Sequence, residues 1–473
     1  MKAPISWLQD FVKIDIPAEA LADKLVHAGF EVEEIIREAD AIKNVVTGRV
    51  LAMERHPNSD HLWICQINVK TATLQIVTGA QNVQVGDIVP VALDGAVLPD
   101  GKRIFNGELR GVKSLGMLCG GSELGLTDAD YEGADVDGIL ILKPDTKVGV
   151  DINEILGRTD VILDVSVTAN RPDCNSIWGI AREVGAVLHK TVKAPVTSYT
   201  ATPERIFNLL DVQVADADLC PRYMAKAVKN IKICESPKII KDRLRAVGIK
   251  PINNIVDITN YILIELGQPM HAFDYEKIAG HRIVVRRAEE GETITTLDNT
   301  THNLDNDVLV IADAEKPLAV AGIMGGLDSG ISDDTHTIIF ESAKFARDNV
   351  RRTSRKLNLK SDSSARFEKG IDFLSQAIAI DRALTLIQTN GWGTIISGTI
   401  DTNMNAVKPR TLTVQYKKIN NILGIKVPTE KMVEILNSLQ IKTVVKGKRL
   451  ECQIPAYRED IELSLIHISE PTR

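Results

Sequence analysis

Apolar residues recur at helical spacing in one stretch near the middle of the chain. Within IVDITNYILIELG, which begins at Ile255, the apolar stripe has residues four apart, namely Ile258, Ile262 and Leu266. Gly267 and Pro269 follow. Both are typical of a helix end, because glycine accepts the left-handed conformation and proline cannot continue a helix. The pattern predicts a helix that stops at Gly267 and places His271 on a short loop beyond it.

The first 190 residues change their pattern twice. Residues 1–39 predict two short helices and a strand, a piece too small to bury a core alone. From 40 to 151, short apolar runs separated by Gly, Asn and Asp predict a small antiparallel barrel. OB-folds have this pattern and often bind exposed nucleic acid. Residues 152–190 return to a helical pattern, with Asp173 as the expected N-cap of a helix.

The remaining chain contains a linker and two further units. The stretch 192–204 has the composition of a linker. Residues 205–400 combine the helix described above with strand-like apolar runs such as IIFESAKF. Residues 405–462 predict a small α+β unit in which Thr429 caps an amphipathic helix. The expected fold class is therefore a multidomain α+β protein.

Composition limits the class of protein. The 473 residues are 44% apolar and 25% charged, which is typical of soluble globular proteins and long enough for three or four domains. The net charge of −7 means that any RNA site must be a local patch. Six cysteines without a CxxC pair argue against structural zinc and disulfides and favour a reducing cytoplasm. MKAPISWLQD does not resemble a signal peptide, and no run is long enough to span a membrane. We expect a cytoplasmic protein without a membrane partner.

Three features stand out for their chemistry. His271 follows the helix stop, Glu341 ends a strand-like run, and GIMGG at 322–326 offers backbone that a ligand could approach closely. On the residues alone, the alternatives stay open: a structural histidine, an ion-paired glutamate and a tight turn. The glycines lack the spacing of phosphate-binding loops.

Four segments carry a resemblance in their order and spacing: NNIVDITNYILIELGQPMHAFD, LAVAGIMGG, ESAKF and SDSSARFEKGID. They are similar to the mixed α/β editing domain of bacterial phenylalanyl-tRNA synthetase beta subunits, which here covers 205–400. The resemblance implies hydrolysis of wrongly formed Tyr-tRNA(Phe). It implies that Glu341 recognises the tyrosine hydroxyl and that His271 positions the attacking water, with Asn260 nearby. Gly322 and Gly325 are expected to shape the pocket.

The chain departs from this family at one edge of the expected pocket. Where the family usually has Thr-Asp-Ala-Ser, residues 361–364 are Ser-Asp-Ser-Ser. Ser361 and Ser363 are therefore expected to border the substrate. Ser363 in place of alanine adds a hydroxyl to the expected pocket, so selectivity for tyrosine could be retuned while hydrolysis is retained.

The barrel segment carries a second resemblance. HPNSDHL, IVTGAQNV, LRGVKSLGMLC and SELGL resemble the tRNA-binding OB module of several synthetases. Its expected phosphate contacts are Arg110, Lys113 and Ser114. The family arrangement also implies that 1–39 and 152–190 form one α+β domain, into which the OB-fold barrel at 40–151 is inserted.

The end of the chain resembles the family's winged-helix-like module at 405–462. There, an Arg-x-Asp-Ile pattern begins a set of magnesium-binding carboxylates, and Arg458, Asp460 and Ile461 match it. Only Asp460 carries over, and one carboxylate is not a magnesium site. LSLIHISEPTR at 463–473 resembles a translated sequencing adapter, so native sequence is expected to end near Glu462.

The complete family enzyme joins phenylalanine to tRNA(Phe) with ATP and Mg²⁺ in a two-alpha, two-beta tetramer. The resemblance assigns the ATP chemistry to the alpha subunit and tRNA binding with editing to the beta subunit. A basic cluster between Lys344 and Lys360, with Arg347 and Arg351 on a predicted helix, is a further candidate contact for tRNA. One alternative is a tRNA-binding and assembly module without hydrolysis. Another is a metal hydrolase using His56, Asp60 and His61, although a simple turn around Pro57 explains these residues better.

Overall fold

The computed structural model describes residues 1–128, 130–402 and 410–461. The chain begins with a short strand, two helices and a longer strand: β1 (Lys2–Pro4), α1 (Ile5–Leu8), α2 (Ala18–His27) and β2 (Glu31–Arg37). These are the two helices and the strand that the sequence pattern predicts, preceded by one short strand. Helix α2 buries Leu21 and Leu25, which lie four residues apart on its apolar stripe.

The next segment is built from antiparallel strands: β3 (Lys43–Arg55), β4 (Trp63–Asn68), β5 (Thr73–Thr78), β6 (Ile88–Val97), β7 (Arg103–Ile104), β8 (Gly107–Leu109), β9 (Val112–Ser114) and β10 (Met117–Leu118). Six of them form one sheet in the order β10-β6-β3-β4-β5, with β7 paired to β6. The long β3 is its central strand, and β8 and β9 form a separate hairpin. The Asn153 side-chain amide donates to the Ile42 carbonyl at 2.8 Å, so the two ends of the segment lie side by side.

The chain then returns to its first strands through α3 (Ile152–Leu156), β11 (Val161–Ser166) and α4 (Ile177–Leu188). Strand β11 lies between β1 and β2 and is antiparallel to both. The segments on either side of the β3–β10 strands therefore share one sheet. The predicted N-cap of α4 is wrong: Ser176 caps the helix by accepting from the Gly179 amide, whereas Asp173 binds Arg171.

The central part contains five helices and thirteen strands among the described residues: β12 (Thr202–Arg205), β13 (Asp211–Val214), β14 (Arg222–Lys229), α5 (Lys238–Ala246), α6 (Asn254–Leu266), β15 (Met270–Asp274), β16 (Arg282–Arg287), β17 (Thr293–Thr295), β18 (Thr301–Asn303), β19 (Leu309–Ala312), β20 (Pro317–Val320), β21 (Met324–Gly325), β22 (Ile338–Lys344), α7 (Arg347–Lys356), α8 (Asp362–Phe367), α9 (Ser375–Thr389), β23 (Thr394–Ser397) and β24 (Ile400–Asp401). The first strand, β12, begins within the stretch whose composition predicts a linker.

Two sheets organise this part. One has the order β12-β23-β14-β22-β15, with β24 on β14, and the other has the order β13-β16-β19-β20-β21. Helices α6 and α9 pack on one face of the first sheet, in a core that includes Phe340 and Ala272. The alternate residues of the same strands, such as Ile339 and Phe273, face a core shared with the second sheet. The first sheet is therefore buried on both faces.

The last described unit consists of β25 (Arg410–Gln415), α10 (Tyr416–Leu423), α11 (Thr429–Ser438), β26 (Lys442–Lys446) and β27 (Arg449–Ile454). Its three strands form a sheet with β27 in the middle. The Arg182 guanidinium of α4 stacks between Trp178 and Tyr457, at 4.6 and 3.8 Å from the two ring centroids, and so connects this unit to the N-terminal part. Thr429 is the first residue of α11 and makes no capping hydrogen bond, contrary to the prediction.

The central helix matches its predicted limits. Asn253 caps α6 by accepting from the amides of Ile255 and Val256, and Gly267 ends it with φ 77°. The predicted loop after the helix is wrong, because His271 lies in strand β15. Glu341 lies in the middle of β22 and not at its end. Among the residues that the structure describes, no helix has the length and apolar character needed to cross a membrane.

A buried ion pair connects the helices behind the first sheet. Glu265 on α6 is fully buried and accepts two hydrogen bonds from the Arg382 guanidinium of α9, at 2.8 and 3.0 Å. The indole of Trp7 on α1 approaches the same carboxylate at 3.5 Å. The charge of Glu265 is thus compensated by one cation from a neighbouring helix.

We expect an Arg382→Met variant to lose about 3–5 kcal/mol of unfolding free energy, because removing one partner leaves a buried charge uncompensated. Urea unfolding followed by tryptophan fluorescence measures the loss. The double variant Arg382→Met with Glu265→Gln should recover much of it, since neither charge is then left alone. A single variant as stable as the parent would show that the pair contributes nothing.

Candidate active site

The candidate site is built on the pairing of two strands. Strand β15 runs antiparallel to β22, and His271 lies directly opposite Glu341. Directly opposed residues of an antiparallel pair project from the same face, with their Cβ atoms about 4.5–5.5 Å apart. This is the face that meets the second sheet. The pairing therefore brings together two residues that are seventy positions apart in the sequence.

His271 and Glu341 line a cavity of about 90 Å³. Gly322, Gly325 and Ser363 line it as well. The remaining walls are apolar and come from both sheets and from α8: Pro269, Met270, Ile311, Ala319, Val320, Ile323, Met324, Phe345 and Phe367. Mostly apolar walls with a few convergent polar groups are the usual lining of a ligand site. A larger cavity of about 1190 Å³ lies elsewhere, between the central part and the last unit. The smaller one is the better candidate because two of its polar groups, His271 Nε2 and the Glu341 carboxyl, have no hydrogen-bond partner among the described residues.

His271 has a neutral imidazole at pH 7. Burial lowers the pKa of its side chain to about 4. Part of the residue reaches the surface, but Nε2 is shielded from solvent and has no hydrogen-bond partner among the described residues. The ring packs edge-on against Phe273, with the centroids 4.5 Å apart, which holds its orientation. A buried nitrogen without a partner is rare in folded proteins and indicates a ligand or water in its place.

Glu341 has the opposite shift. Burial raises the pKa of its carboxyl to about 8, so the group is protonated at neutral pH. The residue is 6% exposed, and its side chain forms no hydrogen bond or ion pair in the part of the chain that the structure describes. A protonated carboxyl can both donate and accept a hydrogen bond. The carboxyl group is therefore suited to recognising a hydroxyl.

The two glycines are required by the shape of the cavity. A Cβ on Gly325 would lie 2.5 Å from Cε1 of His271, which is too close for any side chain. Gly322 has φ +71°, and a Cβ there would lie 2.8 Å from the Phe345 ring. Both positions therefore exclude larger residues.

Helix α8 closes one side of the cavity through its serines. The Ser363 hydroxyl donates to the Gly322 carbonyl at 3.2 Å while lining the cavity. The Ser361 hydroxyl donates to the Ile323 carbonyl at 2.6 Å and accepts from the Ser364 amide as the N-cap. Ser361 therefore positions the helix and does not line the cavity.

Three family models match the chain at its successive units. A tRNA binding domain matches 45–151, a B3/4 domain matches 219–391 and a tRNA synthetase B5 domain matches 412–465. The phenylalanine–tRNA ligase beta subunit of Clostridium acetobutylicum is 47% identical over 465 residues, which is 98% of this chain and 58% of that protein. The beta subunit of Clostridium tetani is 45% identical over the same shares.

The chain belongs to the phenylalanine–tRNA ligase beta-subunit family. It spans 58% of the length of these two relatives. An N-terminal fragment of the phenylalanyl-tRNA synthetase beta subunit of Pyrococcus horikoshii aligns with 66% of this chain and 88% of that chain, at 17% identity and a TM-score of 0.35.

Other residues expected from the beta-subunit resemblance lie outside the cavity. Asn260 is half-buried on α6 and is not among the lining residues. Arg110 and Lys113 are exposed on the β8–β9 hairpin, but Ser114 is buried, accepting from the Val77 amide and donating to the Gly116 carbonyl. The Ser114 hydroxyl, which was expected to contact phosphate, is therefore engaged inside the protein. Arg347 and Arg351 are exposed on α7, on the predicted helix.

Asp460, the metal ligand expected from the family resemblance, and His56, a ligand in the metal-hydrolase alternative, are both engaged in other ways. Both oxygens of Asp460 accept from the Arg458 guanidinium, at 2.8 and 3.0 Å. Burial acts to raise the pKa of Asp460, but the bonds from Arg458 outweigh it and hold the pKa below its usual range. His56 has both ring nitrogens in hydrogen bonds to the backbone. Neither set fits a divalent cation, so Asp460 does not form a magnesium site with the described residues.

One polar cluster was not predicted from the sequence. Asp173, Cys174 and Glu183 lie close enough together to hold a cation. The guanidinium of Arg171 already occupies the centre and donates to all three. The RPDC segment is therefore an internal ion cluster.

The aromatic walls Phe345 and Phe367 of the candidate site were also missed, although each directly follows a motif residue in ESAKF and SSARF.

We expect Glu341→Gln to be more stable than the parent above pH 8 and nearly as stable below pH 4.5. The folded-state pKa of Glu341 is raised, so the folded chain binds its proton more tightly than the unfolded chain between about 4.5 and 8. The stability that this proton confers is complete below the unfolded value and is lost as pH rises through about 8. Denaturant unfolding at pH 4.5, 7 and 9 should show a difference on the order of a few kcal/mol at the highest pH. A difference independent of pH would contradict the buried, unpaired carboxyl.

Proposed function

We propose that the His271–Glu341 cavity hydrolyses Tyr-tRNA(Phe), the product that a phenylalanine-specific ligase makes in error. The supporting observation is the pair of polar groups without a hydrogen-bond partner among the described residues, Nε2 of His271 and the carboxyl of Glu341, which line one small and mostly apolar cavity. Tyrosine differs from phenylalanine by one hydroxyl, and an apolar synthetic pocket rejects an added hydroxyl by only about a hundredfold. A second site that binds this hydroxyl supplies the missing discrimination.

Glu341 is the proposed recognition group. Its protonated carboxyl would exchange hydrogen bonds with the tyrosine hydroxyl inside the cavity. Phenylalanine in the same position would exclude water and leave the carboxyl without a partner, which costs about 1–3 kcal/mol. Selectivity thus comes from a penalty on the correct amino acid and not only from attraction of the wrong one.

His271 is the proposed group that positions water. An ester needs only an oriented water, so no serine or cysteine nucleophile is required. With a pKa of about 4, the imidazole is a weak base at neutral pH. We infer that it orients the water through Nε2 and does not remove its proton completely before attack.

The proposal extends to the whole chain through its family. The barrel at 40–151 would be an OB-fold that binds tRNA, with Arg110 and Lys113 exposed for phosphate contact, and 405–462 would be a winged-helix-like module. Arg347 and Arg351 would guide the acceptor end toward the cavity. Together with an alpha subunit that charges tRNA(Phe) by means of ATP and Mg²⁺, the chain would act as the beta subunit of a two-alpha, two-beta ligase in the cytoplasm.

A second candidate is a tRNA-binding and assembly module without hydrolysis. The observation in its favour is Ser363, which adds a polar group to the wall of an already small cavity. Its hydroxyl is satisfied by the Gly322 carbonyl, however, and projects along the wall toward the glycine turn. This favours retained hydrolysis.

We expect the chain to deacylate Tyr-tRNA(Phe) selectively over Phe-tRNA(Phe). The Glu341→Ala variant should hydrolyse Tyr-tRNA(Phe) at least about tenfold more slowly than the parent. His271→Ala should lose about a hundredfold through misplacement of the water. Glu276 is exposed and lies just beyond the end of β15, the strand that carries His271. Glu276→Ala is therefore the matched control and should retain the parent rate. Rates are measured by the release of labelled amino acid. A His271→Ala variant with the parent rate would remove this residue from the mechanism.

We expect Ser363→Ala to change the ratio of Tyr-tRNA to Phe-tRNA hydrolysis by less than about fivefold, the equivalent of about 1 kcal/mol. The reason is that the Ser363 hydroxyl already donates to Gly322 and is not left for the substrate. The same deacylation assay, with both charged tRNAs in parallel, gives the ratio. A larger change would show that the hydroxyl contacts the amino acid.

A further inference from the structure

A second cavity lies on the opposite side of α8 from the candidate active site. It has a volume of about 320 Å³, roughly ten times the share of one water in the liquid. Ser363 and Phe367, four residues apart, line the first cavity, whereas Asp362 and Arg366 line the second. The same short helix therefore forms a wall of both.

The second cavity has an excess of hydrogen-bond donors. Arg366 Nε and Asn175 Nδ2 are shielded from solvent and have no hydrogen-bond partner among the described residues. Lys2 and Lys369 line the cavity with them. Unpaired N–H groups are costly when buried, so the cavity requires acceptor atoms to satisfy them.

The charge of the lining is also unbalanced. Arg366, Lys369 and Lys2 are positive, and Asp362 is the one carboxylate among the lining residues. The side chain of Asp362 is 67% exposed, while that of Arg366 is 11% exposed, so their contact at 3.1 Å compensates the guanidinium only in part. In agreement, burial lowers the pKa of Arg366 below its usual range. A cation would be repelled, and an apolar ligand would leave the donors unpaired.

We propose that this second cavity binds a phosphate group, held by the guanidinium of Arg366, the ammonium of Lys369 and the amide of Asn175. A phosphate offers several acceptor oxygens and negative charge, and the planar guanidinium can bind two of the oxygens at once. Because α8 also bears Ser363, the phosphate would fix the wall of the hydrolytic cavity. This last step depends on the proposed function, whereas the phosphate site does not.

The phosphate could come from the backbone of the tRNA acceptor end or from free phosphate in solution. Both present the same oxygens to the cavity. They differ in consequence, because a backbone phosphate belongs to the substrate and free phosphate acts as an effector. The test therefore has one arm for binding and one for hydrolysis.

The first arm is titration calorimetry of the whole chain with inorganic phosphate, with chloride at equal ionic strength as reference. We expect one saturable site and an affinity about tenfold lower in Lys369→Gln. Lys250→Gln is the matched control, since Lys250 is exposed and follows the lining residue Ile249 without lining the cavity itself. Arg366→Gln should abolish binding, and its melting temperature shows whether it folds. No saturable binding to the folded parent, or equal binding in Lys369→Gln and the parent, overturns the proposal.

The second arm identifies the source. Two results support a backbone phosphate. Uncharged tRNA should compete with inorganic phosphate for binding, and Lys369→Gln should raise the KM for Tyr-tRNA hydrolysis without changing kcat. A change in kcat on adding phosphate, without competition by tRNA, supports free phosphate. If the chain hydrolyses nothing, the proposed function fails while the calorimetry still decides the phosphate site.

Discussion

The candidate site depends on the register between β15 and β22. The side chains of a strand alternate between its two faces, so a slip of one residue would turn His271 or Glu341 to the helix side of the sheet. That side is filled by the core that contains Phe340 and Ala272. Because both faces of the sheet are buried, neither strand can slip without placing polar groups among apolar ones. The packing behind the sheet thus fixes the geometry in front of it.

The same burial determines the charge state of the site. Desolvation lowers the pKa of His271 to about 4 and raises that of Glu341 to about 8, so both groups are neutral over the pH range between these values. Two charged groups of opposite sign would attract each other and close the cavity as an ion pair. Two neutral groups instead keep their hydrogen-bonding capacity for a ligand. The cost is a pair of unsatisfied groups in the core, a cost that natural proteins bear mainly at functional sites.

Local sequence patterns predict what is determined locally. The 3.6-residue period and the Gly267 stop predict α6 to within one residue, because a helix satisfies its backbone within its own segment. The segment MHAFD has no clear alternation, and it is a strand only because β22 pairs with it from seventy residues away. Strand β11 was missed for the same reason, since its partners β1 and β2 lie on the other side of the β3–β10 segment in the sequence. The membership of His271, Glu341, Gly322, Gly325 and Ser363 in one site came from the family resemblance, as no pattern relates them. Ser114 and Ser176 show what the sequence could not predict. Whether a serine caps a helix, is buried or contacts a ligand depends on neighbours in the fold that the sequence does not place.

Helix α8 is a short element that forms a wall of two cavities. Its six residues are too few for a helix that is stable on its own, so its position is set by tertiary contacts. On one side, Ser361 and Ser363 hydrogen-bond to the glycine turn at 322–323. On the other side, Arg366 is partly desolvated and incompletely compensated. A ligand that satisfies Arg366 would stabilise the helix in its present position, and that position sets the distance between Ser363 and Gly322 in the His271–Glu341 cavity. Through this helix, the wall of the His271–Glu341 cavity would respond to a charge bound outside it.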